Sequence, residues 1–273
     1  MMSPAAPLED LARLAIDGDR GALDAVVHEL QRDIYGIALR MLWNKEDAED
    51  ATQEILVRVV TRLSQFDFRS RLRTWAFRVA VNSILDVKKS AVERLQMNFQ
   101  SLSDSLVEGL SSDGPSTVEH SLLIDEVKLG CSMAMLQCLD RPHRLAYVLG
   151  DIMECAGPEA AEALGITPDL FRKRLQHARA AVLSFTRAHC GLVSDTAPCS
   201  CNRQVASAVR NGRISTHHLA FAHTATSFEE SRTIVRQVDE ARRAIELHRT
   251  AHPRVSDVDF ARRIVGMFDD DGV

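Results

Sequence analysis

Two neighbouring clusters between Asn44 and Arg94 carry the side chains most capable of chemistry. The first is acidic, with Glu46, Asp47, Glu49, Asp50 and Glu54 set against a single Lys45. Such carboxylates can hold Mg²⁺. Here they lie on an open helix face with no His partner and no Gly-rich loop, so an enzyme built on them is a poor fit. The second cluster runs from Arg58 to Arg94. It holds nine Arg and Lys against the three acids Asp67, Asp86 and Glu93, which leaves +6, and Trp75 stands among the cations. The anionic surface suits a basic protein partner and the cationic one a nucleic acid.

Helices must present both clusters. The 3.6-residue period puts Ala48, Ala51, Ile55, Val59 and Leu63 on one stripe of a helix from Lys45 to Leu63. Glu46, Asp50, Gln53, Glu54 and Val57 fall on another, which spacing alone reads as a solvated face. Asn44 is placed to cap this helix, and the acids behind it favour its positive end. Upstream, Val26, Leu30, Ile34, Ile37, Ala38 and Met41 form the core face of a helix within Ala22–Trp43. Downstream, a polar break over Phe66–Arg73 leads into a helix from Thr74 to Lys88, marked by Trp75, Val79, Asn82 and Asp86. Aromatics at helical spacing are core by default, so Trp75 and Phe77 carry that reading beside the nucleic-acid one.

A third candidate is the segment GPEAAEALGITPDLFRKRLQHARAAVL. Pro158 suits a first helical turn, Gly165 ends that helix, Thr167 caps the next and Pro168 opens it. Helix, tight turn, helix is the form of a major-groove reader. Phe171, Leu175, Ala178 and Val182 face inward, while Arg172, Lys173, Gln176 and His177 face outward. Arg or Lys pairs with guanine edges and Gln with adenine. A helical stretch from Leu122 to Glu154 precedes it, with Leu123, Val127, Met135, Leu139, Leu145, Val148 and Ile152 as its core. Cys131 and Cys138 sit on one face there as buried apolar residues.

The 273 residues suffice for about two domains. Aromatics make up only 5%, so the cores must rest on Leu, Val, Ile and Ala. A net charge of −5 excludes a nonspecific polyanion binder, and any nucleic-acid role must rest on local patches. No run approaches the ~20 apolar residues of a membrane span. The start, MMSPAAPLEDLARL, lacks a secretory pattern, and six Cys without one point to a reduced, cytoplasmic setting.

DAEDATQE followed by SRLRTWAFRVAVNSILD resembles region 2 of an extracytoplasmic-function (ECF) RNA polymerase sigma factor, and Leu136–Arg187 resembles region 4. The resemblance implies an all-α chain with no enzymatic activity. Its domains would be region 2 over 1–94, a flexible linker over 95–121, and the helix-turn-helix of region 4 over 122–188. A helical, Cys-containing extension over 189–273 would follow. Asp50, Gln53 and Glu54 would dock on core RNA polymerase. Arg71, Arg73, Trp75, Arg78, Asn82, Lys88 and Lys89 would hold the opened −10 strand, Asn82 at the loop for a flipped base. Arg172, Lys173, Gln176 and His177 would read the −35 duplex, while Arg174 and Arg179 hold phosphates or the helix itself. The Ser-rich linker would thread the polymerase channel. The resemblance leaves room for an anti-sigma partner. Two departures stand out. Trp75 is followed by Ala76 where primary sigma factors carry a second Trp, which weakens the case for strong melting. Ala160 replaces a larger aliphatic, and Gly157–Pro158 is unusual, which bears on the docking angle.

The extension opens with His189, Cys190, Cys199 and Cys201. These residues leave three readings open: a zinc site built on the cysteines, a redox role, or structural thiols. No cofactor is otherwise required. Ser227–Glu230 has the form of a capping box, starting a helix with Ile234, Val238, Ala241 and Ile245 on one stripe. A short helix over Val258–Phe268 ends the chain. A helix-turn-helix regulator that never meets polymerase is the rival reading. It explains Gly157–Arg187 but leaves the acidic helix without a purpose.

Overall fold

The computed structural model describes residues 7–87, 96–110, 118–217, 219–220, 228–251 and 256–267. Among these described residues the regular elements are all helical, and no helix is long and apolar enough to cross a membrane. The chain divides into two compact units. The first draws on Met1–Ser90, Cys155–Phe171 and Val255–Val273, and the second on Ala91–Glu154 and Arg172–Arg254. Both the helix-turn-helix segment and the extension therefore contribute to both units.

In the first unit α1 (Leu8–Ile16), α2 (Arg20–Leu42), α3 (Lys45–Thr61) and α4 (Leu72–Asp86) form the body. The long α2 is buried along Val26, Leu30, Ile34, Ile37, Ala38 and Met41, as its periodicity requires. It ends at Trp43 in the left-handed region, φ 48°. Asn44 then caps α3 by accepting from the Asp47 amide at 2.8 Å, a device worth about 1 kcal/mol. The stripe Ala48, Ala51, Ile55, Val59 and Leu63 is buried, and α3 lies against α2 and α4. The start of α4 is capped from a distance, because the Leu72 amide donates to Glu9 Oε1 of α1 at 3.0 Å. Two further helices complete this unit. The helix Gly157–Ala163 (α8 in chain order) packs on α4, and Phe260–Met267 (α13) packs on α2 and α3.

In the second unit the expected linker holds a helix. Over Phe99–Glu108 (α5), Asn98 and Ser101 form a reciprocal capping box, and Leu102 and Leu106 are buried one turn apart. Its two apolar anchors are too few to show as periodicity in a Ser-rich stretch, whereas the cap is explicit. The expected run from Leu122 to Glu154 is broken. Helix α6 (Val118–Gln137) stops before Asp140, which caps α7 (Arg141–Tyr147), and a π-helical turn follows over Val148–Ile152. Pro142 cannot continue a helix already in progress, and this sets the break.

Helix α9 (Pro168–His189) continues into this unit, followed by α10 (Cys201–Arg210), α11 (Phe228–Gln237) and α12 (Glu240–Thr250). The expected stripe Ile234–Val238–Ala241–Ile245 does not form. Asp239 starts a new helix by capping Arg242, so Val235, Ala244 and Leu247 are buried and Ile234 is exposed. The capping box at Ser227 lies outside the described residues. The last expected helix, Val258–Phe268, is α13 over Phe260–Met267.

Candidate functional site

Helix α3 presents Asp50 and Glu54 to solvent and Gln53 half-buried, one turn or less apart. Glu54 pairs with Arg58, which also donates to Ser83 Oγ of α4 at 2.9 Å. Glu49 on the same helix accepts from Ser256 Oγ at 2.6 Å, and Gln53 Oε1 lies 3.5 Å from Arg263 Nη1. The acidic surface thus has a contact within its own chain at its edge.

Helix α4 gathers part of the expected cationic set. Arg71, Trp75, Arg78 and Asn82 recur at i, i+4, i+7 and i+11, which is one helical stripe. Arg71, Arg78 and Asn82 are exposed and Trp75 is half-buried. Phe68, at φ 58°, and Phe66 fold under the tryptophan, with ring centroids 4.5 Å apart from each other and 5.7 Å from Phe66 to Trp75. Arg13 lies 3.9 Å over the Phe68 ring. The indole is thereby fixed by an aromatic cluster, while Phe77 is core. Arg73 departs from the set: it faces α2 and donates to Asp33 Oδ2 at 2.7 Å. Arg71 reaches Glu159 of α8 at 3.3 Å. Lys88 and Lys89 lie outside the described residues.

Helix α9 is led in by Gly165 at φ 63°, a left-handed residue that L side chains rarely adopt. Thr167 Oγ1 accepts from the Leu170 amide at 3.3 Å. Ala160 is fully buried, so the small residue there is a close-packing choice. Arg172, Lys173, Gln176 and His177 are exposed, Arg174 is half-buried, and Phe171, Leu175, Ala178 and Val182 are core. The His177 ring lies 4.6 Å from that of His143, whose Nδ1 is 2.6 Å from Asp140.

Arg179 has a structural placement. Its Nε and Nη2 fork onto buried Asp151 at 2.8 and 2.5 Å, which ties α9 to the π-turn. That hydrogen bond raises the Arg179 pKa further.

The cysteines are free, half-buried thiols. Cys190 and Cys199 are joined through main chain: the Gly191 amide donates to Cys199 O at 2.9 Å and the Cys199 amide to His189 O at 3.2 Å. A Cβ on Gly191 would stand 2.7 Å from Cys199 O, so only glycine fits there. Burial pushes Cys199 up to about 11 and Cys190 and Cys201 upward as well. Burial pushes the Cys131 thiol up too, with Cys190 and Cys199 adding to the shift. Cys190, Cys199 and Cys201 nonetheless do not converge as ligands. Among the described residues no three His, Cys, Asp or Glu are grouped to hold a metal ion. The bridge at Gly191 holds the segment by main chain, and α10 turns Cys201 into the cluster of Val127, Val205, Ala208 and Ile214.

The residues that sequence reasoning missed are Glu9, Asp33, Asp151, Glu159 and the pair Ser256–Asp257. Each acts across a long chain separation and has no local pattern.

The family described as Sigma-70 region 2 matches residues 26–93. Over 177 residues the chain is 28% identical to the ECF RNA polymerase sigma factor SigW of Bacillus subtilis, covering 60% of this chain and 89% of SigW. It is 28% identical over 174 residues to the RNA polymerase sigma factor NccH of Alcaligenes xylosoxydans xylosoxydans, covering 63% and 90% of the two chains. The solved structure of CnrH in complex with the cytosolic domain of CnrY is similar, with a TM-score of 0.48 and 23% identity, covering 65% of this chain and 96% of that one.

Proposed function

We infer from these relatives and from the faces of α3 and α4 that the chain is an ECF sigma factor, an alternative sigma factor that directs RNA polymerase in transcription initiation. It binds core RNA polymerase and promoter DNA. The observation that carries the assignment of roles is the pairing, within the segment matched as region 2, of an exposed acidic face with an aromatic-backed cationic stripe.

In this reading Asp50, Gln53 and Glu54 meet a basic surface of the polymerase, where charge steers the encounter and fixes register. Arg71, Trp75, Arg78 and Asn82 receive the opened −10 strand. The cations follow the phosphates and the indole offers a stacking face held rigid by Phe66. Arg172, Lys173, Gln176 and His177 read the −35 duplex through the major groove. The chain itself performs no bond chemistry, and its work on promoters places it in the cytoplasm.

The test is reconstitution. Purified chain is added to core polymerase on templates carrying candidate promoters, and run-off transcripts are measured. Promoter-dependent transcripts that need the added chain are expected. DNA binding by the chain without any binding to core polymerase would favour the plain helix-turn-helix regulator instead.

A further inference from the structure

Helix α13 (Phe260–Met267) buries Phe260, Ala261 and Ile264 against α2 and α3. Phe260 meets Tyr35 of α2 with ring centroids 6.4 Å apart. The residues that lead into it bind α3 directly. Ser256 Oγ donates to Glu49 Oε1 at 2.6 Å, and Asp257 lies 3.5 Å from Lys45 Nζ. One turn further along α3, Arg263 reaches Gln53. Glu49 and Gln53 flank Asp50 on the α3 surface. Arg262 and Arg263 are exposed on α13, so a short basic helix lies beside the acidic face.

We propose that the 256–267 segment is a built-in competitor for the polymerase-docking face of α3, and that core polymerase must displace it to bind fully. This rests on the reading of the chain as a sigma factor. The physical case has two parts. The contacts with Glu49, Lys45 and Gln53 are polar and at least partly exposed, and such pairs hold weakly. The apolar hold comes from Phe260, Ala261 and Ile264 on a helix of eight residues. A segment tethered in cis acts at high effective concentration, so even weak contacts keep it seated. A stronger basic partner in trans can still replace it, and the apparent affinity for that partner falls by the fraction of chains already open.

Two measurements on the full chain decide the matter. The first titrates core polymerase with the parent and with R262E/R263E, which places acidic side chains beside the α3 acids while leaving the buried anchors intact. The variant is expected to bind at least about fivefold more tightly, the gain set by how rarely the parent is open. The second follows amide hydrogen exchange in the parent, which needs no variant to fold. Amides of 260–267 are expected to be protected in the free chain and to lose protection when core polymerase binds, while those of α3 gain it. Unchanged affinity in the variant together with retained protection of 260–267 in the complex overturns the proposal. Failure of both parent and variant to bind core polymerase overturns it together with the sigma-factor reading, and is distinguishable because no complex then forms.

Discussion

Arg73 and Arg71 stand two positions apart at the head of α4 and face different ways. Arg73 is held by Asp33 of α2, whereas Arg71 lies on the stripe with Trp75 and reaches Glu159 of α8. The same division separates Arg179, forked onto buried Asp151, from the exposed Arg172 and Lys173. Arg179→Ala strands a buried carboxylate and is expected to cost about 2–3 kcal/mol of stability, read as a lower Tm. Arg172→Ala and Lys173→Ala act at exposed positions, where a lost surface contact costs at most about 1 kcal/mol. Each should weaken use of the −35 element by about 1–3 kcal/mol if it makes a bidentate base contact, measured as promoter affinity across −35 variants. On α3, D50K/E54K changes exposed positions and forfeits only the partly exposed Glu54–Arg58 pair. Its core-polymerase binding should fall at least tenfold with the fold intact, and an unchanged pull-down would remove these residues from the interface.

The thiols also set a pH dependence. Burial raises Cys155 and Cys199 to about 11 in the folded chain, above the ordinary thiol value of 9.0. A raised folded pKa means their stability contribution is complete below pH 9 and is lost as pH rises towards 11. Chemical denaturation at pH 7, 9 and 10.5 should show that decline, and replacing both cysteines with Ala should make it shallower, the other raised thiols keeping the rest.

At the scale of the element, α4 shows how a polar stripe is made rigid. Glu9 caps its first turn from α1, and the Phe66–Phe68 turn supports Trp75. Asn82, exposed at the far end of the stripe, should matter to strand opening and not to folding. Asn82→Ala is expected to reduce permanganate reactivity of the opened −10 strand with Tm unchanged, and normal opening would exclude it from the site. Helix α5 makes the complementary point. Asn98→Ala should cost that helix about 1 kcal/mol through its cap, seen as faster amide exchange over Phe99–Glu108.

For the whole molecule, the net charge of −5 opposes long-range attraction to DNA, and the cationic stripes are local. The free chain should therefore bind promoter duplex weakly, with salt steepening the loss, whereas its complex with core polymerase binds well. Gel shifts of the two across a salt series check this. The two compact units each draw on separated parts of the chain, so truncations at apparent domain ends cut through folded units.

The sequence by itself determined the elements whose signals are local. The cap at Asn44, the buried stripe of α3, the positive-φ Gly165 and the outward set Arg172, Lys173, Gln176 and His177 all follow from periods and caps within a few residues. It also supplied the family resemblance, because both faces of region 2 are written in one continuous stretch. Only the tertiary structure decided which charges are spent inside the protein. Arg73 on Asp33, Arg179 on Asp151, Glu9 on the head of α4 and Ser256 on Glu49 join residues from 28 to 207 positions apart. A side chain's type and spacing state what it can bind, but whether a partner from elsewhere in the chain has already claimed it depends on long-range packing that no local pattern encodes.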